Sequence, residues 1–262
     1  MSIVLCSPYG GYKTPEAGLL YLLGRYLAAR GSAVSQLKCN GVLPVCDRDA
    51  ESNWRRPVSG CFACMQDQRD LSAWSGIGTI ELSTFLSPDD VQRTARWVNG
   101  LSDEELSAAE FDGVNVSDRA AGTFAHRFDV PKLDLHNKQH VRFQRVLLLT
   151  AARLRAALKN FSQRVNPAMM CSPGGDNVFS ASVQDACART QTPVILLDAS
   201  LAQRCVVLRR ADGSIHECPL FIEDVLSLRN DVQTWSPELL RLLGEVETWL
   251  GVEPLPAAST GS

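Results

Sequence analysis

No run in this sequence approaches the roughly 18 consecutive apolar residues of a membrane span. No basic excess is present either: Lys and Arg number 26 against 29 Asp and Glu, for a net charge of −3. Without a basic stripe to collect phosphates, the composition argues against a dedicated nucleic-acid binder. The opening Met1-Ser2-Ile3-Val4-Leu5 lacks the charged start of a signal peptide and is too short for its apolar core. It reads as a first strand, and cytoplasmic residence is the expectation. No G-x-S-x-G elbow, internal repeat or low-complexity stretch occurs. Histidines are few and scattered: His126, His136, His140 and His216.

What the chain does hold is nine cysteines in 262 residues. A reducing compartment disfavours disulfides, and the odd count points the same way. Clustered cysteines in such a setting more often hold a metal. Four of them, Cys39, Cys46, Cys61 and Cys64, follow the spacing C-x6-C-x14-C-x2-C. Soft thiolates select zinc or iron–sulfur clusters. Structural zinc sites are built from short knuckles with two to four residues between ligands, which the gap from Cys39 to Cys46 fits poorly. Iron–sulfur clusters accept more irregular spacing. A [4Fe–4S] cluster is therefore preferred, with zinc as the alternative.

The pattern around the cysteines is α/β. Residues 2–6 form a strand, Thr14-Pro15 opens a helix, and Ala33–Lys38 forms a second strand, so residues 1–38 make a βαβ unit. Residues 39–75 read as a long cysteine-rich connection. Residues 76–220 complete a Rossmann-like parallel sheet with crossover helices. Within them, Ile77–Leu82 reads as a strand, Ser87-Pro88 and Ser102-Asp103 as helix starts, and Leu135–Val165 as one amphipathic helix. Pro167–Cys171, Val178–Thr190 and Pro193–Leu197 then form a second strand–helix–strand module, followed by an edge hairpin. Residues 221–253 are a helical segment and 254–262 a flexible tail.

Cys39 stands at the carboxyl end of the second strand and Cys6 at that of the first, where open α/β sheets bind ligands. Cys6 reads as a buried strand residue, with a mechanistic thiol as the alternative. Gly10-Gly11 and Gly174-Gly175 each lie in a strand-to-helix turn, where backbone can approach a small polar ligand and a helix N-terminus favours anions. Neither turn is a G-x-G-x-x-G or a P-loop. Tyr9 and Tyr12 could contact a substrate ring there. Asn177 is a further candidate ligand contact, with helix capping as its plainer role, and Asp176 is the candidate base. His136 and His140, four apart, could share a helix face. Arg142, Arg145, Arg153, Arg155 and Lys159 are expected on a solvated helix face, and Cys171, Cys187, Cys205 and Cys218 in the core.

The stretch from Lys38 to Arg48, with Cys39-Asn40-Gly41-Val42-Leu43-Pro44-Val45-Cys46 and then Cys61-Phe62-Ala63-Cys64, resembles the C-[DN]-G-x-L-P-x-C…C-x-x-C segment of bacterial surface-carbohydrate and capsule biosynthesis proteins. Glu110–Val116 resembles a segment that precedes a helix in that family, and residues 166–194 resemble its second strand–loop–helix–strand. Those proteins resemble two-Rossmann GT-B glycosyltransferases. The resemblance implies a role in polysaccharide biosynthesis, a nucleotide-sugar ligand, and a partner subunit able to supply a second Rossmann domain.

Overall fold

A computed structural model of the chain describes residues 2–6, 15–45, 58–200, 205–220 and 222–252. Strand β1 (Ser2–Cys6) is followed by α1 (Pro15–Ala29) and β2 (Ala33–Lys38), then α2 (Val58–Ser75) and β3 (Gly78–Glu81). Helix α3 (Pro88–Gly100) starts at a capping box, with Ser87 and Asp90 exchanging side-chain and backbone bonds. A two-strand hairpin, β4 (Glu110–Phe111) and β5 (Val114–Asn115), leads into α4 (Val116–Phe128) and the long α5 (Lys138–Val165). Then come β6 (Met169–Pro173), α6 (Val178–Thr190), β7 (Val194–Ser200), β8 (Cys205–Arg210), β9 (Ile215–Cys218) and α7 (Pro237–Leu250).

Among the described residues seven strands share one sheet in the order β3-β2-β1-β6-β7-β8-β9. The first five run parallel, and the β8–β9 hairpin adds antiparallel to β7. This is a Rossmann-like α/β sheet. Both faces are covered, so the central strand β1 is apolar on both sides from Ile3 to Cys6. Val4, Cys6 and Leu37 face a core completed by α3, α4, α5 and α6. Ile3 and Leu5 face the other core, built from α1, α7 and Leu71 of α2. The strand order reverses between β1 and β6, and ligand crevices open at the carboxyl ends of strands at such a point.

Three sequence expectations change. The connection at 39–75 contains an 18-residue helix, α2. Among its described side chains Leu71 is the one apolar residue that is fully buried, and Gln68 and Ser75 are buried beside it, so no apolar period marks the helix. The helix expected from Ser102 is a single 3-10 turn at Glu104–Ser107, because the hairpin begins three residues later. Helix α4, unread beyond the segment that precedes it, is capped by Asn115, whose side chain accepts from the Ser117 and Asp118 N–H groups. No helix among the described residues is long and apolar enough to cross a membrane.

Candidate functional site

The cysteine segment leaves β2 in a tight turn. Asn40 and Gly41 both have positive φ, 51° and 72°, and Val42 N–H donates back to the Cys39 carbonyl at 3.4 Å. The Cys39 thiol is buried. Burial pushes its pKa up, and backbone hydrogen bonds donated by Leu43, Val42 and Gly41 pull it part of the way back. Asn40 Nδ2 donates to Glu81 Oε2 at 2.8 Å, tying the turn to the end of β3.

Helix α5 holds the other end of the segment. Val45 N–H donates to Thr150 Oγ1 at 3.2 Å, and Thr150 Oγ1 lies 3.1 Å from the Val45 carbonyl, to which it donates in return. One turn on, Arg153 Nη1 reaches the Val42 carbonyl at 3.4 Å. From the other side Cys61, near the start of α2, completes an open cleft of about 390 Å3 with Phe62, Met65, Arg153 and residues 40–44. Cys64 lies a turn further along α2 and raises the pKa of Tyr21, a smaller influence than the burial that pushes this phenol to about 12. Positive charge gathers nearby. Lys38 is buried, which lowers its pKa; Glu81 opposes that shift and Arg69 adds to it.

Cys39 and Cys61 thus border one region at the carboxyl edge of β2. Cys46, together with Gly10, Gly11, Tyr9 and Tyr12, lies outside the described residues. Among the described residues no three His, Cys, Asp or Glu side chains converge on a point that could hold a metal. Cys39, Cys61 and Cys64 by themselves therefore do not make such a group.

The turn after β6 is a close-packed structure. Gly174 N–H donates to the Leu197 carbonyl at 2.8 Å, and a Cβ there would overlap the Asp198 carboxylate. Gly175 takes φ 91°, open to glycine and strained for other residues. Asn177 is the N-cap of α6: it accepts from Ser180 N–H at 2.8 Å and donates to the Gly174 carbonyl at 3.3 Å. Capping therefore occupies its side-chain oxygen. Asp176 is exposed, with its backbone pressed against Gly122 of α4. Gly175 and Asp176 line an open cleft of about 460 Å3 with Asp118, Arg119 and Gln184.

Other candidates resolve into structural parts. Cys6 is fully buried and its pKa is raised well above the ordinary value, first by burial and then by neighbouring Cys187 and Cys171. Cys171, Cys187 and Cys218 are core residues, whereas Cys205 is half-buried. His140 is buried edge-on to Phe124, and its Nδ1 accepts from Asp134 N–H at 3.4 Å; His136 is exposed. The pair does not make a metal face. The basic face of α5 is not simply solvated. Arg145 donates to the Val98 and Leu101 carbonyls and to Asp103. Arg155 and Lys159 pair with Asp185 at 3.7 Å and Asp112 at 3.8 Å. These residues fasten α5 to its neighbours, and this explains the charge density that the sequence alone assigned to water.

Fold and site together define a Rossmann-like α/β protein with a thiol-bearing cleft at the carboxyl edge of its sheet. No protein-family model and no curated protein matches the sequence. Among solved structures, a CDPS from Fluoribacter dumoffii is similar at 11% identity with a TM-score of 0.43, over 82% of this chain and 90% of that one. A likeness this distant specifies no activity.

Proposed function

We propose that the chain is a metal-binding α/β protein whose centre is a [4Fe–4S] cluster, or alternatively zinc, held by Cys39, Cys46, Cys61 and Cys64. The observation that carries this reading is the Cys39 turn. Asn40 and Gly41 turn the chain sharply after β2, beside the cleft that Cys61 borders, and the backbone amides that follow act against the rise in the pKa of the buried Cys39, the direction that favours a ligating thiolate. The cations Lys38, Arg69 and Arg153 offset the negative charge that a multi-thiolate centre would carry. A bound metal would supply redox or Lewis-acid chemistry at the sheet edge. This chain's part is to donate thiolates, to hydrogen-bond Cys39 and to anchor the segment on Thr150. The polysaccharide-assembly setting rests on the resemblance of the cysteine segment. Anaerobic purification with metal and acid-labile sulfide analysis tests the centre: iron and sulfide in equal amounts support a cluster, and one zinc without sulfide supports the alternative.

A second reading concerns the cleft between α4 and the turn that follows β6. The open cleft at Gly175 and Asp176 suits a small polar ligand, and a nucleotide-sugar is the candidate the family resemblance implies. Heat stabilisation by a uridine- or guanosine-diphosphate sugar would support it. Indifference to both would remove it.

A further inference from the structure

Among the described residues Arg153 is the one charged side chain lining the cysteine cleft, and no carboxylate there pairs with it. Its sole hydrogen bond there is the 3.4 Å contact to the Val42 carbonyl. Its Nε is buried without a partner. Burial lowers its pKa, with no carboxylate acting against that shift. A guanidinium desolvated along one edge and left unneutralised is costly, and such sites are normally completed by an anion. Arg155 on the same helix also buries its Nε without a partner, but it and Arg145 each meet a carboxylate.

Beside Asn40 and Cys61, much of the rest of the described lining is apolar. Val42, Leu43 and Pro44 form one side, and Met65 and Phe62 the other. Phe62 stands at the rim, 64% exposed. The volume of about 390 Å3 falls in the range of small-molecule sites.

We propose that this cleft binds a small amphipathic organic anion, its carboxylate or phosphate on Arg153 and its apolar body against Phe62 and Met65. It rests on the preceding reading only in placing the metal centre beside the cleft; the anion site itself needs no metal. A ligand seated here lies against Cys61, so a centre at the cysteine segment would act on it directly.

Calorimetric titration of the purified full chain tests this with four probes: phenyl phosphate, phenylacetate, inorganic phosphate and benzyl alcohol. One or both aromatic anions should bind, phenyl phosphate pointing to a phosphate head and phenylacetate to a carboxylate. Benzyl alcohol should not bind. Arg153→Gln should weaken aromatic-anion binding at least tenfold, Arg153→Lys should recover part of it, and Arg96→Gln on α3 should change nothing. Phe62→Ala, at an exposed position and so harmless to folding, should weaken the aromatic anions and leave inorganic phosphate unaffected. It keeps the test alive if Arg153→Gln fails to fold. Unchanged affinity in the Arg153 and Phe62 variants, benzyl alcohol binding as tightly as the anions, or no anion binding at all would each overturn the proposal. Metal analysis of the same samples separates the two readings: full metal content without anion binding removes only this one, and anion binding by metal-free protein removes only the other.

Discussion

Thr150 closes both backbone groups of Val45 with a single hydroxyl, accepting from the N–H at 3.2 Å and donating to the carbonyl at 3.1 Å. Thr150 is fully buried in the middle of α5 and Val45 is buried, so water cannot replace either bond. Val45 immediately precedes Cys46. A helix on one face of the sheet therefore fixes the register of the cysteine segment just before its second thiol.

Thr150→Val keeps the shape and removes the hydroxyl, leaving two buried backbone groups unpaired at a cost of roughly 1–3 kcal/mol. Thr150→Ser should cost less than half as much. Urea denaturation followed by circular dichroism checks the difference. Metal content per chain should fall in the valine variant and hold in the serine variant.

Gly122 and Gly100 make a matched pair for alanine substitution. A Cβ at Gly122 would overlap the backbone carbonyl of Asp176, whereas nothing lies within 4 Å of the one at Gly100. Backbone cannot rotate aside as a side chain can. Gly122→Ala should destabilise by about 2 kcal/mol or more, in the range of overpacked cores. Gly100→Ala should be neutral or slightly stabilising, because alanine favours helix. Chemical denaturation of the two variants measures this directly.

The fold was largely legible in the sequence, because its signals are local and apolar. The run Ile3–Cys6, the proline-first helix at Pro15 and the six apolar positions of α5 from Phe143 to Val165 each announce a buried face. Helix α2 was illegible, since its buried positions include Gln68 and Ser75, and polar residues give no period. The cysteines marked the site by composition alone. Thr150, Arg153 and Glu81, which hold and charge it, carried no sequence signal. Their roles come from α5 and β3 meeting the segment across at least 41 positions of chain.

Buried thiols set an alkaline limit on stability. Cys171 and Cys187 are each pushed from 9.0 to about 12 by burial. In the unfolded chain they ionise near the lower value, while the folded state keeps them neutral. Their contribution is fully present below about pH 9 and is lost as pH rises toward 12. Denaturation midpoints should fall between pH 9 and 10.5, and the double variant Cys171→Ala, Cys187→Ala should fall less steeply.

Thiol accessibility should divide along the same lines. In native protein freed of metal, iodoacetamide should label Cys61, Cys64 and Cys205 before Cys6, Cys171, Cys187 and Cys218, which are buried. Peptide mass spectrometry at short labelling times reads the order. Metal loading should protect Cys61 and Cys64 and leave Cys205 reactive.

Metal affinity should also rise with pH. Cys39 is held protonated by burial, and each protonated ligand thiol must release its proton on binding. Zinc titration against a competing chelator should show tighter binding at pH 8 than at pH 6.5. A flat profile would mean that protonated cysteines are not the ligands.

The most direct measurement is metal and acid-labile sulfide per chain in anaerobically purified protein, with Cys39→Ser, Cys61→Ser and Cys6→Ser beside the wild type. The account predicts iron and sulfide in equal amounts, about four of each per chain for a [4Fe–4S] cluster. Both should be lost in the Cys39 and Cys61 variants and kept in the Cys6 variant. Zinc without sulfide, lost in the same two variants, would keep the site and replace the cluster. Folded wild-type protein with no metal, or metal retained in Cys39→Ser, would contradict the central claim.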